Sequence, residues 1–79
     1  MTQLAEKLAD QIAAEAIEHI AKTGDEDVIS ALSQAMGDSS QTLQEAFITS
    51  VRVQRAAIRA RRLLTDRARR LEAEGRVGE

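Results

Sequence analysis

The chain contains no cysteine, proline, tryptophan or tyrosine, and it has a single phenylalanine, Phe47. Disulfides are therefore excluded, and with one histidine and no thiol the usual ligands of a zinc site are missing. The absence of proline, together with abundant alanine, leucine, glutamate, glutamine and arginine, favours helix along almost the whole chain. The sequence predicts an all-α protein without a metal or any other cofactor.

Long apolar runs are also absent. No stretch approaches the roughly 18 apolar residues that a membrane-spanning helix needs, and no basic segment followed by an apolar run resembles a signal peptide. We therefore expect a soluble, cytoplasmic protein with no membrane partner. A chain of 79 residues rarely builds a core worth more than about 3–5 kcal/mol. With disulfides and metals excluded, self-association is the expected additional support.

Local patterns predict two helices in the first half of the chain. Apolar residues recur at helical spacing from Leu4 to Ala21, with polar residues opposite them, which indicates an amphipathic first helix. Gly24 supplies the left-handed residue that commonly ends a helix. The three acids of residues 25–27 then provide an N-cap and favourable negative charge for a second helix from about Glu26 to Met36.

A long third helix is predicted to follow. Gly37 is the second stop signal, and Asp38, Ser39 and Ser40 are successive candidates for the next N-cap. No proline or glycine follows before Gly75, so the helix can run for about 35 residues, or roughly 50 Å. The first helix is shorter, and we therefore expect the end of the third helix to project beyond it.

The expected architecture is three helices with a long C-terminal helix, arranged as a helical hairpin plus a short middle helix, which oligomerise through the long helix. We expect residues 1–74 to form a single helical domain and residues 75–79 to form a frayed tail, since Gly75 and Gly78 interrupt the helical pattern there.

The third helix carries two apolar seams at heptad-like spacing. The first seam, Phe47, Val51 and Ile58, suits packing against the chain's own first helix. The second seam suits a neighbouring copy in a coiled coil, because the first helix is too short to cover its end. It comprises Ala46, Val53, Ala57, Ala60, Leu64 and Leu71, of which all but Ala46 form the predicted oligomer interface.

Charge is divided between the two halves of the chain. Two lysines against nine acids give a net charge of −7 for residues 1–50, and nine arginines against four acids give +5 for residues 51–79. The overall charge of −2 therefore hides a strong asymmetry. Such a division indicates a surface that binds anions, an acidic partner, or pairing of the molecule with itself.

The arginines of the third helix are spaced so that they form a stripe along one face. A guanidinium group is permanently charged and offers a planar fork of donors that fits a phosphate, and each phosphate neutralised releases counterions. The pattern therefore predicts binding of duplex DNA through its backbone. The stripe consists of Arg52, Arg55, Arg59, Arg62 and Arg69 at spacings of 3, 4, 3 and 7, with Arg70 at its edge.

Two other interpretations of the stripe stay open. Asp66 lies four residues from both Arg62 and Arg70, so part of the stripe can be an exposed, ion-paired helix face. Alternatively, the protein is a non-enzymatic adaptor whose basic helix docks on an acidic protein partner or on the acidic half of a second copy. Binding of single-stranded nucleic acid is not expected, because the sequence lacks an aromatic stacking platform.

The segment from Leu32 to Phe47 resembles the helix-turn-helix element of bacterial DNA-binding proteins. Gly37 stands where that motif turns, and Leu32 and Met36 stand at packing positions of its first helix. The resemblance implies that Leu43, Ala46 and Phe47 pack from the second helix and that the side chains facing a major groove are Ser40, Gln41, Gln44 and Glu45.

Taken whole, a small helical chain with a short middle helix and a long oligomerising helix resembles the small terminase subunits of tailed phages and of phage-derived gene transfer agents. That resemblance implies a ring that binds DNA and stimulates a large ATPase-nuclease subunit during DNA packaging.

Catalysis is not expected of this chain. It has no glycine-rich phosphate loop and no nucleophile placed beside a base. His19 borders the apolar face of the first helix and is expected to be a half-buried packing residue. The acids at residues 25–27 are expected to cap a helix and not to hold magnesium.

Overall fold

The computed structural model describes residues 2–75, and the described residues form three α-helices. The first, α1, spans Thr2–Thr23, α2 spans Asp27–Ser39, and α3 spans Gln41–Ala73. These bounds confirm the predicted all-α fold with three helices and a long C-terminal one. Of the predicted tail, residues 76–79 lie outside the described residues. No helix in the described part of the chain is both long enough and apolar enough to cross a bilayer.

The three helices lie in one layer with α3 in the middle. Its two neighbours, α1 and α2, have little contact with each other. The Cα atoms extend over 56 × 30 × 12 Å, with a radius of gyration of 16.9 Å. A compact chain of this length would have a radius of gyration of about 11–12 Å. The core is therefore thin, and much of α3 stays accessible to solvent.

Contacts between distant residues give the directions of the helices. Asp10 contacts Ser50, and further along both helices Ile20 and Ile58 line the same cavity, so α1 runs parallel to α3. The order is reversed for α2, because Ser33 contacts Gln44 near the start of α3, whereas Glu26, which precedes α2, contacts Arg55 further along α3. The antiparallel pair is thus formed by α2 and α3, whereas the expected hairpin with an added middle helix would pair the first and third helices in that way.

The core is built around Phe47, which is fully buried. Three alanines spaced along one face of α1 are buried against it, and their small side chains let the two helices approach closely. Val51 is also buried, and Ile58 is half-buried, so the first seam packs inside the molecule as predicted. Truncating a buried phenylalanine to alanine typically costs about 3–5 kcal/mol. The buried alanines are Ala9, Ala13 and Ala16.

The boundary between α1 and α2 forms at Gly24, as the sequence predicts. Gly24 has a φ of 76°, a conformation that costs glycine little because it lacks Cβ. Its amide donates to the carbonyl of Ile20 at 2.7 Å. The Thr23 hydroxyl donates to the carbonyl of His19 at 2.8 Å and accepts from the amide of Asp25 at 3.1 Å. These bonds close the corner.

The second boundary differs from the prediction. Gly37 does not stop α2, which continues to Ser39, and the break is the single residue Ser40, with φ −155° and ψ 105°. The amide of Ser40 donates to the carbonyl of Met36 at 2.7 Å, and its hydroxyl accepts from the amide of Leu43 at 3.1 Å. Ser40 therefore ends one helix and caps the next, as one of the three predicted N-caps.

Gly37 has a different role from the predicted one. A Cβ atom at this position would lie 2.5 Å from Nε2 and 2.7 Å from Cδ of Gln44. The Gln44 amide group passes over the glycine and donates to the carbonyl of Ser33 at 2.9 Å. Gly37 thus makes room for a polar bridge between α2 and α3.

The last part of α3 projects beyond α1 and α2, as expected. The helix continues without a break through Thr65. All residues from Arg59 to Gly75 are exposed, and the large apolar side chains among them are exposed by 63% at Leu63, 69% at Leu64 and 41% at Leu71. We call residues 63–73 the overhang. It leaves three leucines uncovered within the single chain.

The Gly37 and Gln44 contact yields a stability prediction. In an open helix, replacing glycine by alanine stabilises by about 1 kcal/mol. Here Gly37→Ala displaces the Gln44 amide and breaks a hydrogen bond worth about 0.5–1.5 kcal/mol, so we expect little net change. In a Gln44→Ala background, the same substitution should stabilise by about 1 kcal/mol. Urea denaturation of the four variants measures this coupling, and an equal effect in both backgrounds would contradict it.

Candidate nucleic-acid interface on the long helix

Most of the predicted arginine stripe is exposed along α3. At about 100° per residue, the six side chains cover roughly a quarter to a third of the helix circumference. The stripe begins beside α1 and α2 and continues along the overhang. Within residues 2–75, no ion pair is formed by Arg52, Arg59 or Arg62. The exposed members are Arg52, Arg59, Arg62, Arg69 and Arg70.

Arg55 is the exception, because its guanidinium group forms an ion pair with a side chain of the same chain. Its Nη2 atom donates to both carboxylate oxygens of Glu26, at 3.0 and 2.9 Å. The side chain of Arg55 is 35% exposed and that of Glu26 64%. Glu26 stands at the N-cap position of α2 but makes no side-chain cap hydrogen bond. The predicted cap is thus replaced by an ion pair that ties the start of α2 to α3.

Arg59 and Arg62 border a shallow cavity where α1 ends beside α3. The cavity has a volume of about 390 Å³, and its lining includes Ile17, Ile20 and Ile58 as well as the two arginines. The lining also includes the ion pair of Glu26 and Arg55, so apolar, cationic and anionic side chains meet in this cavity. This feature depends on how α1 crosses α3, so spacing along the sequence does not reveal it.

Along the overhang, the charge pairing differs from the simplest expectation. Asp66 lies nearest to Arg69, three residues further on, with its carboxylate 4.0 Å from the guanidinium. The predicted partners were Arg62 and Arg70. Both side chains of the observed pair are more than half exposed, and such pairs contribute little to stability. The overhang carries three arginines against Asp66 and Glu72, a net charge of +1.

The acidic residues of α1 line a different part of the surface. A groove of about 630 Å³ runs between α1 and the first half of α3, and its lining includes Glu6, Asp10 and Glu45 as well as Ala46 and Val53. On α3, the groove side carries the second seam and the stripe lies on nearly the opposite side of the helix. Two of the four acids of α1, Glu6 and Asp10, therefore lie on the side of α3 away from the stripe. We call this depression the acidic groove.

The second seam is accessible in the single chain. Val53 and Leu64 are 61% and 69% exposed, and Leu71 is 41% exposed. Ala60 is exposed as well, and Ala57 is half-buried. The residues of the predicted oligomer interface thus form an apolar strip along α3 that is mostly exposed, partly covered at Ala57, and without a member between Leu64 and Leu71.

The polar side chains of the helix-turn-helix resemblance make contacts within the chain. Ser40 caps α3, and Gln44 is half-buried and donates across to α2. Gln41 donates to the carboxylate of Glu45 at 3.3 Å, and both side chains are exposed. The bonds of Ser40 and Gln44 lie at the corner between α2 and α3, whereas that of Gln41 and Glu45 lies within α3.

His19 is not the half-buried packing residue that the sequence predicts. Its side chain is 44% exposed, and its Nε2 atom lies 3.0 Å from a carboxylate oxygen of Asp25. The neighbouring acid, Asp27, lies in the first turn of α2, where negative charge favours the helix dipole. Among the described residues, no three histidine or acidic side chains converge to form a metal site.

The ion pair of Glu26 and Arg55 can be tested by its effect on stability. Glu26→Gln removes the charge of an exposed carboxylate, so we expect the free energy of unfolding to fall by about 0.2–1 kcal/mol at low salt. The difference should shrink in high salt because the pair is screened. Glu15→Gln removes one negative charge from α1 where no ion pair is found within the described chain. An equal loss of stability in both variants, measured by urea denaturation, would argue against the pair.

Comparison with protein-family models, with curated proteins and with solved structures finds no match to this chain.

Proposed function

We propose that this protein is a small homo-oligomer that binds duplex DNA by contacting backbone phosphates through the arginine stripe on α3. The observation that carries the proposal is the set of exposed arginines on one helix, of which Arg52, Arg59 and Arg62 have no ion-pair partner within residues 2–75. Because these arginine side chains form no ion pair within the described chain, their positive charge is available to an external anion.

The physical basis of the proposal is neutralisation of phosphate charge. Arg52 and Arg70 are separated by 18 residues, or about 27 Å of straight helix. A duplex carries one negative charge per roughly 1.7 Å of its axis, so several phosphates lie within that reach. Guanidinium groups match phosphate oxygens, and each contact releases counterions. The contacts are to the backbone, so sequence preference should be weak.

The overhang supports the same proposal by its accessibility. Arg69 and Arg70 lie on a single helix that projects past both neighbours, so a duplex can approach without meeting α1 or α2. The acids of α1 that line the acidic groove lie on the other side of α3. We extend the proposal to a role like that of the small terminase subunits, in which a large ATPase-nuclease is the protein partner during DNA packaging.

A second candidate function is docking on an acidic protein. Arg55 already binds a carboxylate from another helix, which shows that this part of the stripe suits an acidic side chain. The neighbouring cavity is lined by three isoleucines and by Arg59 and Arg62. An apolar side chain beside an acidic one would fit this lining. In this alternative, an acidic peptide competes for the same arginines.

Charge reversal within the stripe tests the proposal. We expect Arg59→Glu with Arg62→Glu to weaken duplex binding roughly tenfold or more at low salt, and to lower the salt dependence of binding by about 0.9 for each phosphate that is no longer neutralised. Fluorescence anisotropy with a labelled duplex at several salt concentrations measures both quantities. Circular dichroism and light scattering should show unchanged helix content and oligomer size.

The matched control uses two adjacent arginines. Arg61 and Arg62 are both exposed, but Arg61 lies off the stripe. Arg62→Glu should weaken binding more than Arg61→Glu, although both change the net charge equally. Equal weakening would show that net charge, and not the stripe, governs binding. If the duplex does not bind and poly-glutamate does, with the same dependence on Arg62, the adaptor function replaces DNA binding.

Release of Arg55 provides a gain-of-function test. Glu26→Gln frees a sixth guanidinium group, so we expect tighter duplex binding and a salt dependence larger by about 0.9. Glu15→Gln makes the same change in net charge on α1, away from the stripe, and serves as the control. A stripe that binds DNA should distinguish the two variants in the same anisotropy assay, and equal effects would count against it.

A further inference from the structure

The second seam of α3 has a spacing that reads the same in both directions. Its six apolar residues are separated by 7, 4, 3, 4 and 7 positions. Two identical helices that run in opposite directions can therefore place every member of the seam opposite another member. The centre of this symmetry falls between Ile58 and Arg59. All but one of the seam residues flanking that centre belong to the exposed apolar strip described above, and the remaining one, Ala46, lines the acidic groove.

We propose that two copies of this chain pair through this seam in an antiparallel arrangement with two-fold symmetry. The inference rests on the self-association included in the proposed function and specifies its partner and register. In this register Val53 faces the partner's Leu64, and Ala57 faces the partner's Ala60. At each end, Ala46 faces the partner's Leu71.

Side-chain size is complementary in this register. The two seam leucines of the overhang, Leu64 and Leu71, each meet a smaller residue, a valine or an alanine, and the central pair consists of two alanines that allow close approach. An antiparallel coiled coil pairs large residues with small ones in this way, and its side chains fill the space between the helices. The arrangement covers Val53, Leu64 and Leu71, which are three of the six exposed large apolar side chains of the described chain.

The acidic groove lies where the partner's overhang would be seated. Its lining includes Ala46 and Val53 of the seam, which face the partner's Leu71 and Leu64. The groove has a volume of about 630 Å³ and is bounded on its other side by α1. The partner's two leucines would therefore contact α1 as well as α3. By symmetry, the overhang of each copy occupies the groove of the other.

Charge complementarity supports the same register. One polar pair interrupts the seam, because Ser50 lies opposite the partner's Arg67. Ser50 is buried, and its hydroxyl donates to a carboxylate oxygen of Asp10 at 2.6 Å. No ion pair of Asp10 or Glu6 is found within residues 2–75. The partner's arginine would thus enter a groove lined by three acids, Glu6, Asp10 and Glu45, and the contact would form twice in the dimer.

A parallel arrangement of the same helices is less favourable. It would place Arg67 opposite the partner's Arg67 and bring the two basic overhangs together, although like charges at short range repel. It would also leave the acidic grooves without arginine partners. The antiparallel arrangement instead combines each basic overhang with the acidic half of the other copy. The stripe lies on nearly the opposite side of α3 from the seam, so pairing leaves it accessible.

Light scattering on the full chain tests the seam with two adjacent leucines. Leu63 and Leu64 are 63% and 69% exposed, but only Leu64 belongs to the seam. We expect Leu64→Asp to raise the dimer dissociation constant roughly 100-fold or more, since the substitution removes two buried leucines from each dimer. Leu63→Asp should leave the mass of the dimer unchanged. A parent chain that is monomeric at high concentration, or equal effects of both variants, would overturn the proposal.

Cross-linking distinguishes the two directions, because the chain has no cysteine of its own. In the proposed register, Val53→Cys and Leu64→Cys chains form a mixed disulfide when they are combined and oxidised. Val53→Cys alone should form little disulfide, because two copies of residue 53 lie about 16 Å apart along the helices, and a disulfide needs Cα atoms within about 7 Å. Mass spectrometry identifies the products. Efficient cross-linking of each variant to itself, without the mixed product, would overturn the antiparallel register.

A charge swap tests the intermolecular ion pair. Asp10→Lys and Arg67→Glu should each raise the dissociation constant roughly tenfold, and the double variant should recover most of that affinity. Within one chain, Arg67 lies 17 residues beyond Ser50, or about 25 Å along the helix, so recovery requires a contact between copies. Arg70→Glu, on the other side of the helix, should not change pairing. Absence of recovery, with helix content preserved, would overturn the assigned contact.

These results are separable from the test of DNA binding. Loss of duplex binding in Arg59→Glu with Arg62→Glu, while the mixed disulfide still forms, would leave the pairing intact. Loss of the mixed disulfide in a chain that still binds duplex through the stripe would overturn the pairing alone.

Discussion

The burial of Phe47 against the alanine face of α1 is the interaction on which the rest of the structure depends. Phe47 is the one large side chain that is completely buried in the described chain, and it lies on the helix that both of the others contact. Because its partners on α1 are small, the two helices approach closely. The buried side chains are concentrated around Phe47, and few are buried elsewhere. Such a small core matches the arrangement of the three helices in a single layer.

A thin core leaves α3 with several distinct faces. One face carries Phe47 and Val51 and holds the fold together. A second carries the exposed apolar seam, and a third carries the arginine stripe. The overhang continues the last two beyond the other helices, so the proposed self-association and phosphate binding would use faces of α3 other than the one that builds the core.

Acidic and basic side chains lie on different sides of α3. The acids of α1 line a groove on one side of α3, while most of the stripe faces the other side. Glu26 is an acid on the stripe side of α3. It neutralises Arg55 and links the start of α2 to α3. In the proposed function, the exposed arginines of the stripe bind phosphate, and in the proposed pairing the acids of the groove meet the overhang of a second copy.

Local patterns in the sequence were sufficient to predict the three helices, the glycine that ends α1, the packing of the first seam and the exposure of the second. Each of these depends on residues within about one or two helical turns. The tertiary structure decided the rest. Gly37 accommodates Gln44, Glu26 binds Arg55 across 29 residues, and the acidic groove forms where α1 crosses α3. Such contacts depend on which faces of two helices pack together and on how the helices are shifted along their axes. The spacing of residues within one helix determines neither.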